Sequence, residues 1–511
     1  MQFRNSQMID IYDLYKPFRN YLRKLDLRAL LLLIWDVQRH FGDSVDIEFR
    51  SGFGDAVGSI FKWELHLLAR EALLHATIGP AQQQPSNHDL FKLVDHIRRI
   101  TEGISLRTVS SGDGAMRALH PLIHQQARWQ HTRDWDRFYR IFRIYNRDDL
   151  RPLLEQVVGV RLSTIYTLAF AIAGSATRSA WTSSNVDYEF LGISAAERDA
   201  FFAMVSADPS AICGEFETRQ RYDEGWAFSL NPLEQTPLVR LRTDRPYEYL
   251  CPLPELLLRR TTESLFFDLG KSNIPFNNPY GMAFQAYVGD VLRAQFTGPI
   301  HRVMEEQTYK IKKNLKHGVD WIVSDPTGHI MFECKARRMK IEAKATADGE
   351  TLTTSLEDLA DLVVQHYKNV EDALQERTQW KPDGQPVFPV IVTLEDWYLF
   401  SPHVIDRLHS LVREKLAELK LAPMLETSPF TVISIAELEV AGQAIAQIGI
   451  GRYFSSLVAK PNPHFGQRSH AAQEFPDVKV DYQRLFSRSD QEMFGHLTPF
   501  MDLPGDFERQ A

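Results

Sequence analysis

The chain is 511 residues long, 44% hydrophobic and 24% charged, an ordinary globular composition with enough length for two or three cored domains and no sign of a mainly disordered state. Its net charge of −8 excludes a protein that coats nucleic acid by bulk charge, while leaving room for a local basic groove. Cys213, Cys251 and Cys334 lie far apart with no Cys-x-x-Cys pair, so neither a zinc ribbon nor a disulfide framework is signalled and a reducing cytoplasm is the expected home.

The first residues carry no secretory leader pattern, and the most apolar run, 29–35, is far too short to span a bilayer, so no membrane is expected. From Ile9 to about Ser206, apolar residues recur at helical spacing, as in Leu22, Leu25, Ala29, Leu32 and Leu33. The spacing predicts a large, mostly α-helical domain over 1–225; the role expected of it is to recognise a substrate or trigger, or to bind a protein partner or a second copy. Gly52-Phe53-Gly54 with Gly58 has no preceding strand and no P-loop lysine, so it reads as a tight interhelical turn. His120 and His124 lack the glutamate that metalloproteases place beside the first histidine, and with His131 they read as surface residues. The Arg/Trp-rich run 127–147 could track a nucleic-acid strand, but Trp135, Phe138, Ile141, Phe142 and Tyr145 more simply form a core stripe.

A second unit is expected over 226–460, followed by a looser tail, 461–511. Segments 237–241 and 247–251 read as paired strands, 252–263 and 281–296 as helices, and 302–309 as strand-like. Then comes the most informative stretch, His317 to Lys340: strands over 319–324 and 329–335 joined by Asp325-Pro326-Thr327-Gly328. Proline presets φ at the second turn position, and glycine at the fourth can take the left-handed conformation. If the chain reverses on Pro326 and Thr327 alone, Asp320 stands opposite Glu333, with Lys335 on the same face. A type I turn with a glycine bulge would instead set Asp320 against Cys334. Three such polar side chains are costly in a buried sheet without compensation. Two carboxylates on a hard divalent cation, with an ammonium beside them for phosphate charge, would supply it. The alternative is an exposed edge hairpin with a solvated Asp and a Glu-Lys pair. From Arg302 to Lys344 the chain holds ten Lys/Arg against six Asp/Glu, so Lys312, Lys313, Arg337 and Arg338 are candidate phosphate contacts.

Gly-Val-Asp, a strand, a turn and Phe-Glu-Cys-Lys together resemble the PD-(D/E)XK nuclease superfamily. Asp320, Glu333 and Lys335 match its Asp and Glu-x-Lys positions, with Val319 where the eponymous proline would stand. The resemblance covers about 275–395 well, 226–460 loosely and the N-terminal half not at all. It implies an α/β core, a restriction-endonuclease-like mixed sheet flanked by helices, behind the helical domain. It also implies that Asp320 and Glu333, helped by the Cys334 carbonyl, hold Mg²⁺ or Mn²⁺ while Lys335 supports the attacking water and the phosphate. Gln285 occupies the helix position where many members carry glutamate, and Glu305 or Glu306 could substitute. Gln365, on a helix predicted over 355–377, matches a position that often orients the lysine or the substrate. A strand over 387–395, with regular pairing only after Pro389, a helix over 403–420 and a strand over 430–438 complete the expectation.

The implied activity is metal-dependent hydrolysis of phosphodiester bonds in nucleic acid, DNA ahead of RNA, and by analogy of architecture the expected setting is a bacterial restriction or phage-defence effector. The alternative is a catalytically degenerate nuclease fold that binds nucleic acid or a protein.

Overall fold

The β-branched run Val387–Thr393 is buried at every position and forms the second strand of a five-stranded mixed sheet. The order is Thr431–Ser434, Val387–Thr393, Gly328–Lys335, Trp321–Asp325, Arg302–Glu305. The first three strands run parallel and the hairpin and edge strand are antiparallel. A continuous apolar run is what a strand covered on both faces requires. The computed structural model describes residues 10–40, 44–51, 54–109, 114–126, 135–345, 349–481 and 485–500.

Alternation along the strands assigns each face to its own helix. Trp321, Val323, Phe332, Val390 and Val392 pack with Phe284, Tyr287, Val288 and Val291 of the helix Asn277–Gln295. Their neighbours on the opposite face meet the 25-residue helix Glu350–Leu374: Ile391 and Val432 join Leu359 and Val363, while Ile322 and Met331 join Val370 and Ala373. Gly289 is required by this packing, because a Cβ there would lie 2.1 Å from the Trp321 indole.

The turn takes the two-residue form, with Asp325 paired to Gly328 and Trp321 to Phe332. Buried Asp325 fixes it: its carboxylate accepts from Thr327 N and Oγ1 at 2.7 and 2.6 Å and from Ile450 N at 2.8 Å. Gly328 is not left-handed as expected. Its need is space, since a Cβ would meet the Pro386 carbonyl and Ile450 at 3.2 Å. Pro389 also sits further inside its strand than expected: pairing to Thr431–Ser434 starts at Val390, but pairing to Gly328–Lys335 runs through it from Val387. The strand predicted over 430–438 ends at Ser434, whose hydroxyl accepts from Glu437 N and caps the helix Ile435–Ile448.

Helices dominate the first half, interrupted by a hairpin and by the short strands Trp181–Ser183 and Ser206–Ala207, which form a second sheet with Leu238–Val239 and Glu248–Leu250. Ser44–Ser51 and Gly54–Phe61 form an antiparallel hairpin in which Ser51 pairs with Gly54, so the glycines serve a strand reversal and not an interhelical turn; residues 52 and 53 lie outside the described residues. His120 and His124 are buried, not on the surface, and His120 Nε2 lies 2.9 Å from the Ala343 carbonyl; His131 lies outside the described residues. Of the run 127–147, residues 127–134 are likewise outside. The rest forms the helix Trp135–Tyr145, with Phe138, Ile141, Phe142 and Tyr145 in the core and Arg140 paired to Glu439 at 2.5 Å.

Residues on both sides of position 225 contribute to each of the two largest hydrophobic clusters. One joins Ile11 through Ile100 to Trp226, Leu233, Leu250 and Leu256. The other joins Tyr139 through Val205 to the central sheet and on to Met493 in the tail. No single helix among the described residues is long and apolar enough to cross a membrane; one bent pair, Arg151–Val158 with Leu162–Ser175, passes on length and composition, and the second of these is largely buried.

Candidate active site

Pairing brings three acids to one end of the sheet. Glu305 pairs with Trp321 and Trp321 with Phe332, so the next residue on each strand path, Glu306, Asp320 and Glu333, continues the row. Met304, Ile322 and Met331, two residues away from each, pack in the cluster under the Glu350–Leu374 helix, so the row belongs to that face. Regular pairing stops at Trp321. Beyond it Asp320 N donates to the Phe332 carbonyl at 3.0 Å, and the Asp320 carboxylate accepts from Cys334 N at 2.6 Å. The two registers left open by the spacing thus resolve into the direct one, with the Asp320 side chain taking over a ladder contact to Cys334.

Glu333 is buried, and its Oε1 lies 2.7 Å from Lys335 Nζ. Its Oε2 has no hydrogen-bond partner and faces His366 Nδ1 at 3.6 Å, which is also without one. His366 Nε2 donates to the Met331 carbonyl at 2.9 Å, because a carbonyl only accepts. A proton on Nδ1 or a cation between the two atoms would satisfy both.

The charges split the pair. Burial, and then the Glu333 charge, push the Asp320 carboxyl up, with Glu306 adding to the effect. Burial resists ionisation of Glu333 too, but His366 and Lys335 outweigh it and hold that carboxyl below its ordinary value. Burial acts to lower the Lys335 ammonium, yet Glu333 and Asp320 prevail and raise it, so Lys335 is a cation at neutral pH and has no lone pair with which to take a proton.

The remaining expected residues are dispersed. The Cys334 side chain packs on the opposite face with Phe332, leaving its backbone at the row. Gln285 donates to Glu306 at 3.4 Å from the Asn277–Gln295 helix, and its carbonyl accepts from Trp321 Nε1. Gln365 is exposed and donates to Asn369 at 3.3 Å; the neighbouring residue, His366, is the one that reaches Glu333. Sequence reasoning passed over His366, although it lies on the buried stripe Leu359, Val363, His366, Val370, where a polar residue needs a partner. Lys312 and Lys313 are exposed at the tip of a second hairpin, Thr308–Ile311 with Asn314–His317. Arg337 is half exposed and paired to Asp358. Arg338 is committed inward, to Glu395 at 3.1 Å and over the Phe266 ring at 4.6 Å.

No family model, curated protein or solved structure matches this chain.

Among the described residues no three His, Cys, Asp or Glu side chains form a ready-made metal cage. The donor set nevertheless fits a hard divalent ion. Burial and the Glu333 charge raise the cost of ionising Asp320, one Glu333 carboxylate oxygen is unpartnered, and the Cys334 backbone carbonyl follows Glu333 in sequence, leaving other positions to water.

Proposed function

We propose that this protein is a metal-dependent nuclease that hydrolyses phosphodiester bonds in nucleic acid, with DNA the first substrate to test. The observation that carries the reading is the row itself: Asp320, half-buried, and Glu333, buried, at the end of the paired strands, with Lys335 as an ammonium 2.7 Å from Glu333. A bound Mg²⁺ or Mn²⁺ would lower the pKa of a water and polarise the phosphoryl oxygens. Asp320 and Glu333 would hold it, with the Cys334 carbonyl; Lys335 would stabilise charge developing on the phosphate. Lys312, Lys313 and Arg337 offer positive charge to flanking phosphates. A bacterial restriction or phage-defence role is proposed by analogy of architecture.

Gln285 favours a second reading, a degenerate nuclease fold that only binds, because its amide adds no charge beside Glu306. Metal-dependent cleavage separates the two. Linear, circular and single-stranded DNA and RNA are incubated with Mg²⁺ or Mn²⁺, with EDTA and with a zinc-selective chelator. Cleavage that EDTA abolishes, the zinc chelator spares and Asp320→Ala, Glu333→Ala and Lys335→Ala each largely remove is expected. Gln285→Ala should cost less. Glu333 and Lys335 variants that cut like wild type would sink the proposal.

A further inference from the structure

A cavity of about 1030 Å³ opens beyond the carboxyl ends of the three parallel strands. The register fixes that neighbourhood: Lys335 pairs with Thr393 and Thr393 with Ser434. Segments following each of these strand ends, including Lys340, Asp396 and Glu437, line the cavity, and Phe266 and Phe267 close it from the other side. Crevices outside the carboxyl ends of parallel strands are where open α/β sheets bind ligands, and this volume is at the upper end for a small-molecule site.

The wall has three kinds of group. Aromatic faces come from Phe266, Phe267, Trp397, Tyr398, Phe400 and Phe465. Phe267 and Phe400 are exposed although large and apolar. Tyr398 holds φ at +42°, a conformation that disfavours a bulky residue and that folds retain mainly at ligand clamps and active sites. Cationic groups come from Arg338, Lys340 and Lys344. Carboxyls come from Glu234, Glu263, Glu342, Glu395, Asp396 and Glu437; burial raises the last two, and for Glu437 the Asp396 charge adds to it, up to about 8. The arginines Arg137, Arg140 and Arg338 form their ion pairs elsewhere, with Glu263, Glu439 and Glu395; the backbone N–H groups of Gly466, Gln467 and Arg468 already hold Glu437, whereas among the described residues Asp396 takes only the Ser434 hydroxyl. Asp396 therefore keeps acceptor capacity for a ligand that brings N–H donors.

We infer that the cavity binds a nucleotide unit: a base bearing an amino group stacked on the aromatic wall with its N–H groups on Asp396, and its phosphate toward exposed Lys340, with Lys344 behind it on Glu395. Aromatic faces take any base, carboxylates select amino-bearing ones, and lysines take the phosphate. Two sources share this chemistry, a free nucleotide and a nucleotide of a single strand entering the acidic row. Only the second source rests on the nuclease reading.

The full chain in EDTA is titrated calorimetrically with dGMP, with dTMP and with a short single-stranded DNA. Phe267→Ala/Phe400→Ala and Asp396→Asn are the wall variants; Lys381→Ala, exposed and outside the cavity lining, is the control. Expected is dGMP binding at least tenfold tighter than dTMP, loss of at least tenfold in the aromatic double variant, and loss of the base preference in Asp396→Asn, with Lys381→Ala unchanged. If mononucleotides fail but single-stranded DNA binds and weakens tenfold in the wall variants, the inference stands with the strand as source. If no probe responds to the wall variants, it is overturned. Because nothing is cleaved in EDTA, a protein that binds here yet never cuts with Mg²⁺ or Mn²⁺ would remove the nuclease proposal and leave the site.

Discussion

Asp320 is held in a place that resists its charge, and the sign of that cost is testable. Its folded-state pKa is raised above the unfolded value, so the fold loses stability as pH rises from the acid range toward neutrality and the carboxyl ionises. Asparagine keeps an acceptor for Cys334 N and removes the charge. Asp320→Asn should therefore raise the melting temperature of the metal-free protein at pH 8, on the order of 2–4 °C for each kcal/mol recovered, and change it little at pH 4. Scanning calorimetry in EDTA checks this, and an equal gain at both pH values would refute it. His366 acts through Glu333: with Nε2 fixed by the Met331 carbonyl, its ring sets where Glu333 Oε2 lies. Removing such a partner typically costs about 10- to 100-fold in metal affinity. His366→Ala should weaken Mn²⁺ binding by that order in a calorimetric titration while Gln365→Ala leaves it nearly unchanged. Identical Mn²⁺ affinity in wild type and His366→Ala would reduce His366 to packing.

At the scale of elements, the hairpin Thr308–Ile311 with Asn314–His317 turns on Lys312 and Lys313, and Lys312 holds φ at +57°. A lysine there carries left-handed strain that glycine would not. Lys312→Gly should stabilise the chain slightly, by up to ~1 kcal/mol, while weakening nucleic-acid binding and flattening its salt dependence by about one phosphate contact. Denaturant unfolding and binding at several salt concentrations test both halves; weaker binding with an unchanged salt slope would remove Lys312 from the interface. Arg338→Ala is expected to behave differently. It leaves Glu395 with Lys344 alone and removes a largely enclosed guanidinium from the Phe266 ring, so it should chiefly destabilise the fold. The contrast explains why a run of basic residues does not act as one patch: pairing and burial, not spacing, decide which charges remain outside.

For the whole molecule, the helices Trp135–Tyr145, Leu162–Ser175 and Ala195–Val205 share one hydrophobic cluster with the central sheet, and Arg140 pairs with Glu439 within it. A fragment beginning at 226 would expose that surface and leave Glu439 buried without its guanidinium. We expect such a fragment to be aggregation-prone or to lack cooperative unfolding, whereas the same sheet in the full chain unfolds with its helices. Hydrogen exchange on both checks this: native-like protection of 321–335 in the fragment would show that the sheet stands alone.

The sequence by itself determined the order of the sheet strands and their two flanking helices, because periodicity and turn chemistry are written in neighbouring residues; it missed that the strand expected over 302–309 breaks after Glu305 and that Thr308–Ile311 pairs with Asn314–His317 outside the central sheet. Asp325-Pro326-Thr327-Gly328 also specified a reversal, and that reversal set Asp320 near Glu333. Only the tertiary structure decided what depends on contacts between distant segments. It chose between the two registers, since the Asp325 carboxylate locks the turn against Ile450, 125 residues away. It placed His366 and not Gln365 on Glu333, turned Arg338 inward and buried His120 and His124. Each of these is a question of which partner satisfies a polar group once water is excluded, and no spacing along the chain can state the partner's position.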